Sequence, residues 1–183
     1  MGGTIMIYFY LFNYSKVLED VEAENHINSL FEYLRANGVE VEIRIEMVKG
    51  SLKEEIAEYA KNESVPFIDN PDLILAINKF EKKTKMTSGV RDYRHVFIGE
   101  NLKAQDQNEW GESDGYFAVI KNVHKKNIWH EVAHLLGAED HYGTGRNLCK
   151  SSDICIMTYG NTEGELCEAA LAEIRSYINA LED

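Results

Sequence analysis

Residues 130–141 hold the side chains best suited to chemistry. They include His130, Glu131 and His134 in the order H-E-x-x-H. On a helix, positions i and i+4 lie on the same face, so the two histidines can offer their ring nitrogens to one metal ion. Glu131 would then lie beside the ion, where a general base for water activation is needed. The pattern therefore predicts a catalytic metal site, with Zn²⁺ as the ion.

A third ligand has to come from the residues after the helix, because catalytic zinc takes three protein ligands and keeps one position for water. Asp140 and His141 lie six and seven residues beyond His134. Both follow Gly137, which can adopt a positive φ and turn the chain back toward the helix. The spacing alone leaves Asp140 and His141 as alternatives.

The longer pattern H-E-x-x-H-x-x-G-x-x-D resembles the metzincin clan of zinc metallopeptidases. In that clan the third residue after the glycine is the third ligand, which implies Asp140 here, as in the snapalysin type of site. Residues 155–159 read C-I-M-T-Y and resemble the metzincin Met-turn. The resemblance implies that Met157 forms an apolar floor under the ligands. It also implies that Tyr159, as in astacin-like enzymes, lies near the metal.

The resemblance implies a zinc-dependent endopeptidase that hydrolyses peptide bonds through a metal-activated water, with one catalytic Zn²⁺. Glu131 would serve as general base, and Tyr159 would stabilise the oxyanion. An alternative is a non-catalytic, metal-stabilised binding protein or a degenerate peptidase. A further alternative is a thermolysin-like site whose third ligand is Glu163, Glu165 or Glu168.

Cysteines and the remaining histidines receive plainer interpretations. Three cysteines are too few for a disulfide framework. The spacing of Cys149 and Cys155 is similar to that of adamalysin-like sequences, which implies a bridge in an oxidising compartment. In a reducing compartment, free buried thiols are the favoured interpretation. His26, His95 and His124 are expected to be ordinary histidines.

Strand and helix patterns alternate along the chain and must position these residues. Alternating or β-branched runs predict strands, and apolar residues at helical spacing predict helices. Residues 72–85 fit either element, and the polar stretch 101–113 is predicted to be a loop. Strands are predicted at residues 5–12, 39–47, 95–99 and 115–120, and helices at 18–37, 52–61, 125–136 and 165–181.

These elements predict an α+β fold with an α/β-like N-terminal part, which the resemblance makes zincin-like. We expect a twisted, mostly parallel sheet with one antiparallel edge strand, an active-site helix and a C-terminal helix. Residues 1–183 are expected to form a single catalytic domain, with an upper subdomain over 1–136 and a smaller one over 137–183. By position, residues 115–120 match the edge strand that binds an extended peptide or protein substrate in the clan.

Charge and composition limit the partners. The chain has 31 acidic and 19 basic residues, a net charge of -12. This argues against nucleic acid and against an anionic membrane surface as partners. The apolar N-terminus lacks a basic region and a small-residue cleavage site, so a cytoplasmic protein is expected, with a secreted mature form as the alternative. The sequence does not indicate an oligomeric state.

Overall fold

The computed structural model describes residues 6–60, 70–88, 92–103, 111–141, 149, 155–158 and 163–182. Within these residues the chain forms one five-stranded sheet and five helices. The strands are β1 (Met6–Asn13), β2 (Glu42–Met47), β3 (Asp92–Ile98), β4 (Gly111–Ser113) and β5 (Phe117–Ile120). The helices are α1 (Asp20–Ala36), α2 (Ser51–Ala60), α3 (Pro71–Ser88), α4 (Lys125–His134) and α5 (Glu168–Glu182).

The sheet has the strand order β2-β1-β3-β5-β4. Neighbouring strands are parallel, except that β4 runs antiparallel to β5. The predicted fold class is therefore confirmed: the sheet is mostly parallel, with one antiparallel strand at its edge. One detail of the prediction was wrong. Residues 115–120 do not supply that edge, because β5 lies between β3 and β4.

Helices cover both faces of the sheet, which explains why its central strand is apolar on both sides. Successive side chains of a strand point to opposite faces. In β1, Phe9 and Leu11 enter the core formed with α1, α4 and α5. Tyr10 and Phe12 enter the core formed with α2 and α3. The sheet is thus the middle layer, and α4 packs against the same face as α1 and α5.

One segment with an ambiguous prediction is a helix, and one segment predicted to be a loop contains a strand. The ambiguous stretch 72–85 lies within α3, whose apolar Leu73 and Ile77 pack on the sheet at helical spacing. The stretch 101–113, predicted to be a loop, ends in β4. Three polar or small residues carry no periodic signal, so this strand exists because β5 offers it hydrogen-bonding partners.

The end of α4 is fixed by Gly137 and Arg94. Gly137 has a φ of 89°, and a Cβ atom there would lie 2.5 Å from Tyr177 Cβ in α5. The buried Arg94 of β3 donates from Nε to Leu135 O at 3.0 Å, and another of its nitrogens bonds to the Tyr177 hydroxyl. The turn after α4 is therefore held against both the sheet and α5. The positive φ expected at Gly137 is confirmed.

We predict that Gly137→Ala destabilises the protein more than Gly38→Ala. Gly38 also has a positive φ, of 74°, but a Cβ there would meet nothing within 4 Å. Both changes carry the left-handed backbone cost of roughly 1–2 kcal/mol. Only Gly137→Ala adds overpacking against Tyr177, worth roughly 1–3 kcal/mol. Denaturant unfolding of the two variants measures the difference, and equal losses of free energy of unfolding would contradict the prediction.

Candidate metal sites

Helix α4 presents the H-E-x-x-H residues because its other face is anchored in the core. The helix starts at His124, whose side chain accepts a hydrogen bond from Lys126 N at 3.3 Å. Ile128 and Val132 are fully buried. Trp129 packs beside α1 and donates from Nε1 to His26 O at 2.9 Å. This packing fixes the rotation of the helix and leaves the two histidines partly exposed on the opposite side.

His130, His134 and Asp140 converge on one point. The two Nε2 atoms are 3.1 Å apart. Asp140 Oδ1 lies 3.4 Å from Nε2 of His130 and 3.3 Å from Nε2 of His134. Two nitrogen or oxygen ligands of a tetrahedral zinc ion lie roughly 3.3–3.4 Å apart, given bonds of about 2.0–2.1 Å. The three side chains therefore have the spacing of one face of a zinc coordination tetrahedron.

Hydrogen bonds to backbone carbonyls fix the tautomers of both rings. His130 Nδ1 lies 2.7 Å from Ile156 O, and His134 Nδ1 lies 2.8 Å from Ala138 O. A carbonyl oxygen can only accept, so Nδ1 carries the proton in each ring. In the neutral rings both Nε2 atoms then point a lone pair toward Asp140. Backbone carbonyls orient metal-ligating histidines in this same way.

The Asp140 carboxylate completes the group of three potential ligands. Its Oδ1 atom is buried and accepts no hydrogen bond. Burial opposes ionisation, but the proximity of His130 and His134 outweighs it and holds the pKa of the Asp140 carboxyl well below its usual range. The ionised carboxylate therefore faces the Nε2 atoms of both rings. A bound cation would satisfy all three.

Glu131 is buried beside this group, where β4 meets α4. Its side chain packs directly against Gly111, where an added Cβ would lie 2.6 Å from Glu131 Oε1. Glycine at this position leaves room for the carboxylate. Strand β4, which the sequence did not predict, thus packs against the predicted general base.

His141, the alternative third ligand, is not brought to His130 and His134. Its ring is buried, with Nδ1 3.0 Å from Cys149 Sγ. Cys167 Sγ and Cys155 Sγ lie 3.4 Å and 3.8 Å from the same nitrogen. These four side chains form a second group of potential ligands, here called the His/Cys3 cluster. It could bind a metal ion.

None of the three cysteines is joined in a disulfide bond. Cys149 Sγ and Cys167 Sγ are 3.2 Å apart, well beyond the disulfide bond length of about 2.05 Å. Cys149 and Cys155 therefore follow the free-thiol interpretation rather than the bridge implied by the resemblance. The cluster was missed in the sequence, although one signal was present. Every cysteine of the chain follows His141 within 26 residues, and imidazole with thiols is a typical zinc ligand set.

The predicted Met-turn lies against the first site. Met157 is fully buried, and Thr158 N bonds back to Cys155 O at 3.1 Å in a tight turn. Ile156, within this turn, supplies the carbonyl that accepts from His130. Tyr159 lies outside the described residues.

The other residues considered as ligands lie apart from His130, His134 and Asp140. Glu168 pairs with Arg175, and the backbone of Glu165 pairs with the Met-turn through Ile156 N. His95 is buried on the other face of the sheet, where it bonds to Glu81 at 2.7 Å. Burial lowers the pKa of His95, although Glu81 opposes this.

Comparison with known proteins adds no further information on the site. No protein family model and no curated protein matches this sequence. The resemblance to metzincins therefore rests on the residues of the sequence motif alone. Among the described residues, no helix has the length and apolar character that a membrane span needs.

We predict that Asp140→Asn and His130→Ala each reduce the zinc content of the purified protein by one ion per chain. Asparagine keeps the shape of aspartate but removes its charge, and alanine removes a nitrogen ligand. Zinc at 100 times its dissociation constant adds about 2.7 kcal/mol of stability per site, so thermal stabilisation by zinc should fall in both variants. His26→Ala is the control, because the hydrogen bonds described for this residue are accepted by its backbone carbonyl, which the substitution keeps. Unchanged zinc content in Asp140→Asn would rule out this site.

Proposed function

We propose that the protein is a zinc-dependent endopeptidase whose catalytic ion is held by His130, His134 and Asp140. One observation carries the proposal: two imidazole nitrogens and a carboxylate oxygen lie 3.1–3.4 Å apart. A structural zinc site is usually closed by four protein ligands, whereas three ligands leave a position open for chemistry. The position of Glu131 next to these ligands supports hydrolysis as that chemistry.

A zinc ion in this site would supply Lewis acidity, polarising the scissile carbonyl and making water a better nucleophile. Residues of the chain would transfer the protons and orient the ligands. Glu131 accepts the proton of the attacking water and then donates it to the leaving amine. Its buried position beside Gly111 keeps the carboxylate oriented. The carbonyls of Ile156 and Ala138 keep the Nε2 lone pairs of the histidines directed at the site.

The substrate side of the site is the outer edge of β4. Among the described strands, β4 has a neighbour only on the β5 side. An exposed strand edge binds an extended peptide through main-chain hydrogen bonds. Since Gly111 of β4 contacts Glu131, a peptide paired with β4 would pass next to the general base. The proposed peptide-binding edge is therefore Gly111–Ser113, and not residues 115–120.

We predict that Glu131→Gln retains zinc and loses hydrolysis of an unstructured protein substrate such as denatured casein. Loss of a general base costs about 10²- to 10⁴-fold in rate, while the metal ligands stay in place. Metal content and cleavage are measured on the same samples. Glu163→Gln and Glu165→Gln are matched controls, and they also test the rival third ligands.

The outcomes separate the function classes. Loss of zinc from Glu165→Gln would favour a thermolysin-like site. If the wild-type protein with bound zinc cleaves no peptide, and Glu131→Gln behaves identically, the non-catalytic metal-stabilised protein becomes the better interpretation.

We predict that Gly111→Ala lowers the rate of hydrolysis without lowering zinc content. The added methyl group would overlap the Glu131 carboxylate, with its Cβ only 2.6–2.7 Å from three Glu131 atoms. Glu131 must therefore move, whereas no zinc ligand is among the three atoms nearest to the added Cβ. Ser113→Ala, on the same short strand, is the control. Equal rates for Gly111→Ala and Ser113→Ala would show that Gly111 does not position Glu131.

A further inference from the structure

The His/Cys3 cluster differs from the first site in being closed. It offers four protein atoms: Nδ1 of one imidazole and Sγ of three cysteines. All four residues are less than 10% exposed, His141 at 2% and Cys155 at 0% among them. Four protein ligands without an open position are typical of a structural zinc site. This geometry suits a structural ion that is not accessible to a substrate.

The tautomer of His141 suits metal binding. Its Nε2 lies 3.1 Å from Glu173 Oε2, and the carboxylate can only accept. The neutral ring therefore carries its proton on Nε2 and points the Nδ1 lone pair at the sulfur atoms. A carboxylate behind a histidine is a common support for a metal-ligating imidazole. Glu173 also accepts from Glu139 N at 3.0 Å, so it holds the loop as well as the ring.

The spacing and the chemistry of the sulfur atoms agree with this interpretation. Nitrogen and sulfur ligands of tetrahedral zinc lie roughly 3.6–3.8 Å apart, given bonds of about 2.0–2.3 Å. The observed separations of 3.0–3.8 Å lie at or somewhat below that range. Zinc binding would release the thiol protons of its cysteine ligands.

The cluster is connected to the first site through the backbone. Asp140 and His141 are consecutive residues. His141 N donates to Met157 O at 2.9 Å, and the preceding residue, Ile156, accepts from His130. Cys155 starts the same turn. The residues of the cluster therefore frame both the carboxylate of the first site and the carbonyl that orients one of its histidines.

We propose that His141, Cys149, Cys155 and Cys167 bind a structural Zn²⁺ ion that holds Asp140 and the turn at Ile156 in position for the first site. The positioning part of this inference rests on the proposed metal site at His130, His134 and Asp140. The second zinc site itself does not depend on peptidase activity. It joins three separate parts of the chain: the loop after α4, the Met-turn and the start of α5.

The test replaces zinc with Co²⁺, which reports its ligands in the absorption spectrum. The wild-type protein should bind two metal ions and show an intense sulfur-to-cobalt charge-transfer band. The double variant His130→Ala, His134→Ala should keep one ion and the full band. Cys167→Ser should lose the band and one ion, and the metal affinity of its first site should fall roughly 10- to 100-fold, as for loss of a supporting contact.

Glu173→Gln serves as the conservative variant. It keeps all four ligands and should therefore retain the band, with weaker metal affinity. If Cys167→Ser does not fold, the double histidine variant still decides, because its band arises only from the cluster. Thiol alkylation gives an independent reading: the three cysteines of the zinc-loaded double variant should be protected and should react after chelation.

Several results would overturn the inference. One is a wild-type protein that binds a single ion without a sulfur-to-cobalt band. Another is a disulfide between any two of the cysteines in the natively purified protein. Unchanged affinity of the first site in a folded Cys167→Ser variant would overturn the positioning role. Absence of hydrolysis in every sample would count against the proposed function, but it would not affect the metal counts or the spectrum.

Discussion

The close approach of three potential metal-ligand atoms is the constraint on which the rest of the structure depends. His130 Nε2, His134 Nε2 and Asp140 Oδ1 approach within 3.1–3.4 Å, and the protons that could separate them are committed to backbone carbonyls. Such an arrangement costs free energy unless a cation is bound or the surroundings hold it in place. Much of the structure outside the sheet holds these three atoms in place.

Two kinds of support hold the ligands together. The first is the packing of α4 in the core, together with the buried guanidinium of Arg94, which donates a hydrogen bond to the Leu135 carbonyl at the end of the helix. The second is the turn of the ligand-bearing loop at Gly137. Because α5 lies so close to this turn, only a residue without a Cβ atom fits there. The sheet and α5 therefore determine the direction of the loop before any ligand is considered.

The sequence predicted the elements that carry their own periodic pattern. The apolar run of β1, the amphipathic α1 and the helix bearing His130 and His134 were all located within a few residues. Their burial follows from local patterns, so no tertiary information was needed. The pairing of Asp140 with these histidines was implied by the resemblance to the metzincin motif, whereas spacing alone left His141 as an alternative. The structure brings Asp140 to the two histidines.

What the sequence could not show depends on contacts between distant segments. Strand β4 has three residues and no pattern, and it is a strand only because β5 pairs with it. The His/Cys3 cluster has its donors 8, 6 and 12 residues apart, without the close cysteine pairs that mark a zinc site in a sequence. Its assembly depends on α5 bringing Cys167 and Glu173 against the loop, which no local pattern encodes.

The adjacency of Asp140 and His141 has a consequence for how this loop can vary. These neighbouring residues belong to two different groups of potential ligands. Each group therefore constrains the number of residues between Gly137 and its own ligand. A one-residue insertion or deletion there would shift a carboxylate into the sulfur-rich pocket, or an imidazole out of it. Loops on protein surfaces usually tolerate changes in length. This one should diverge by substitution alone, with its length kept constant across related chains.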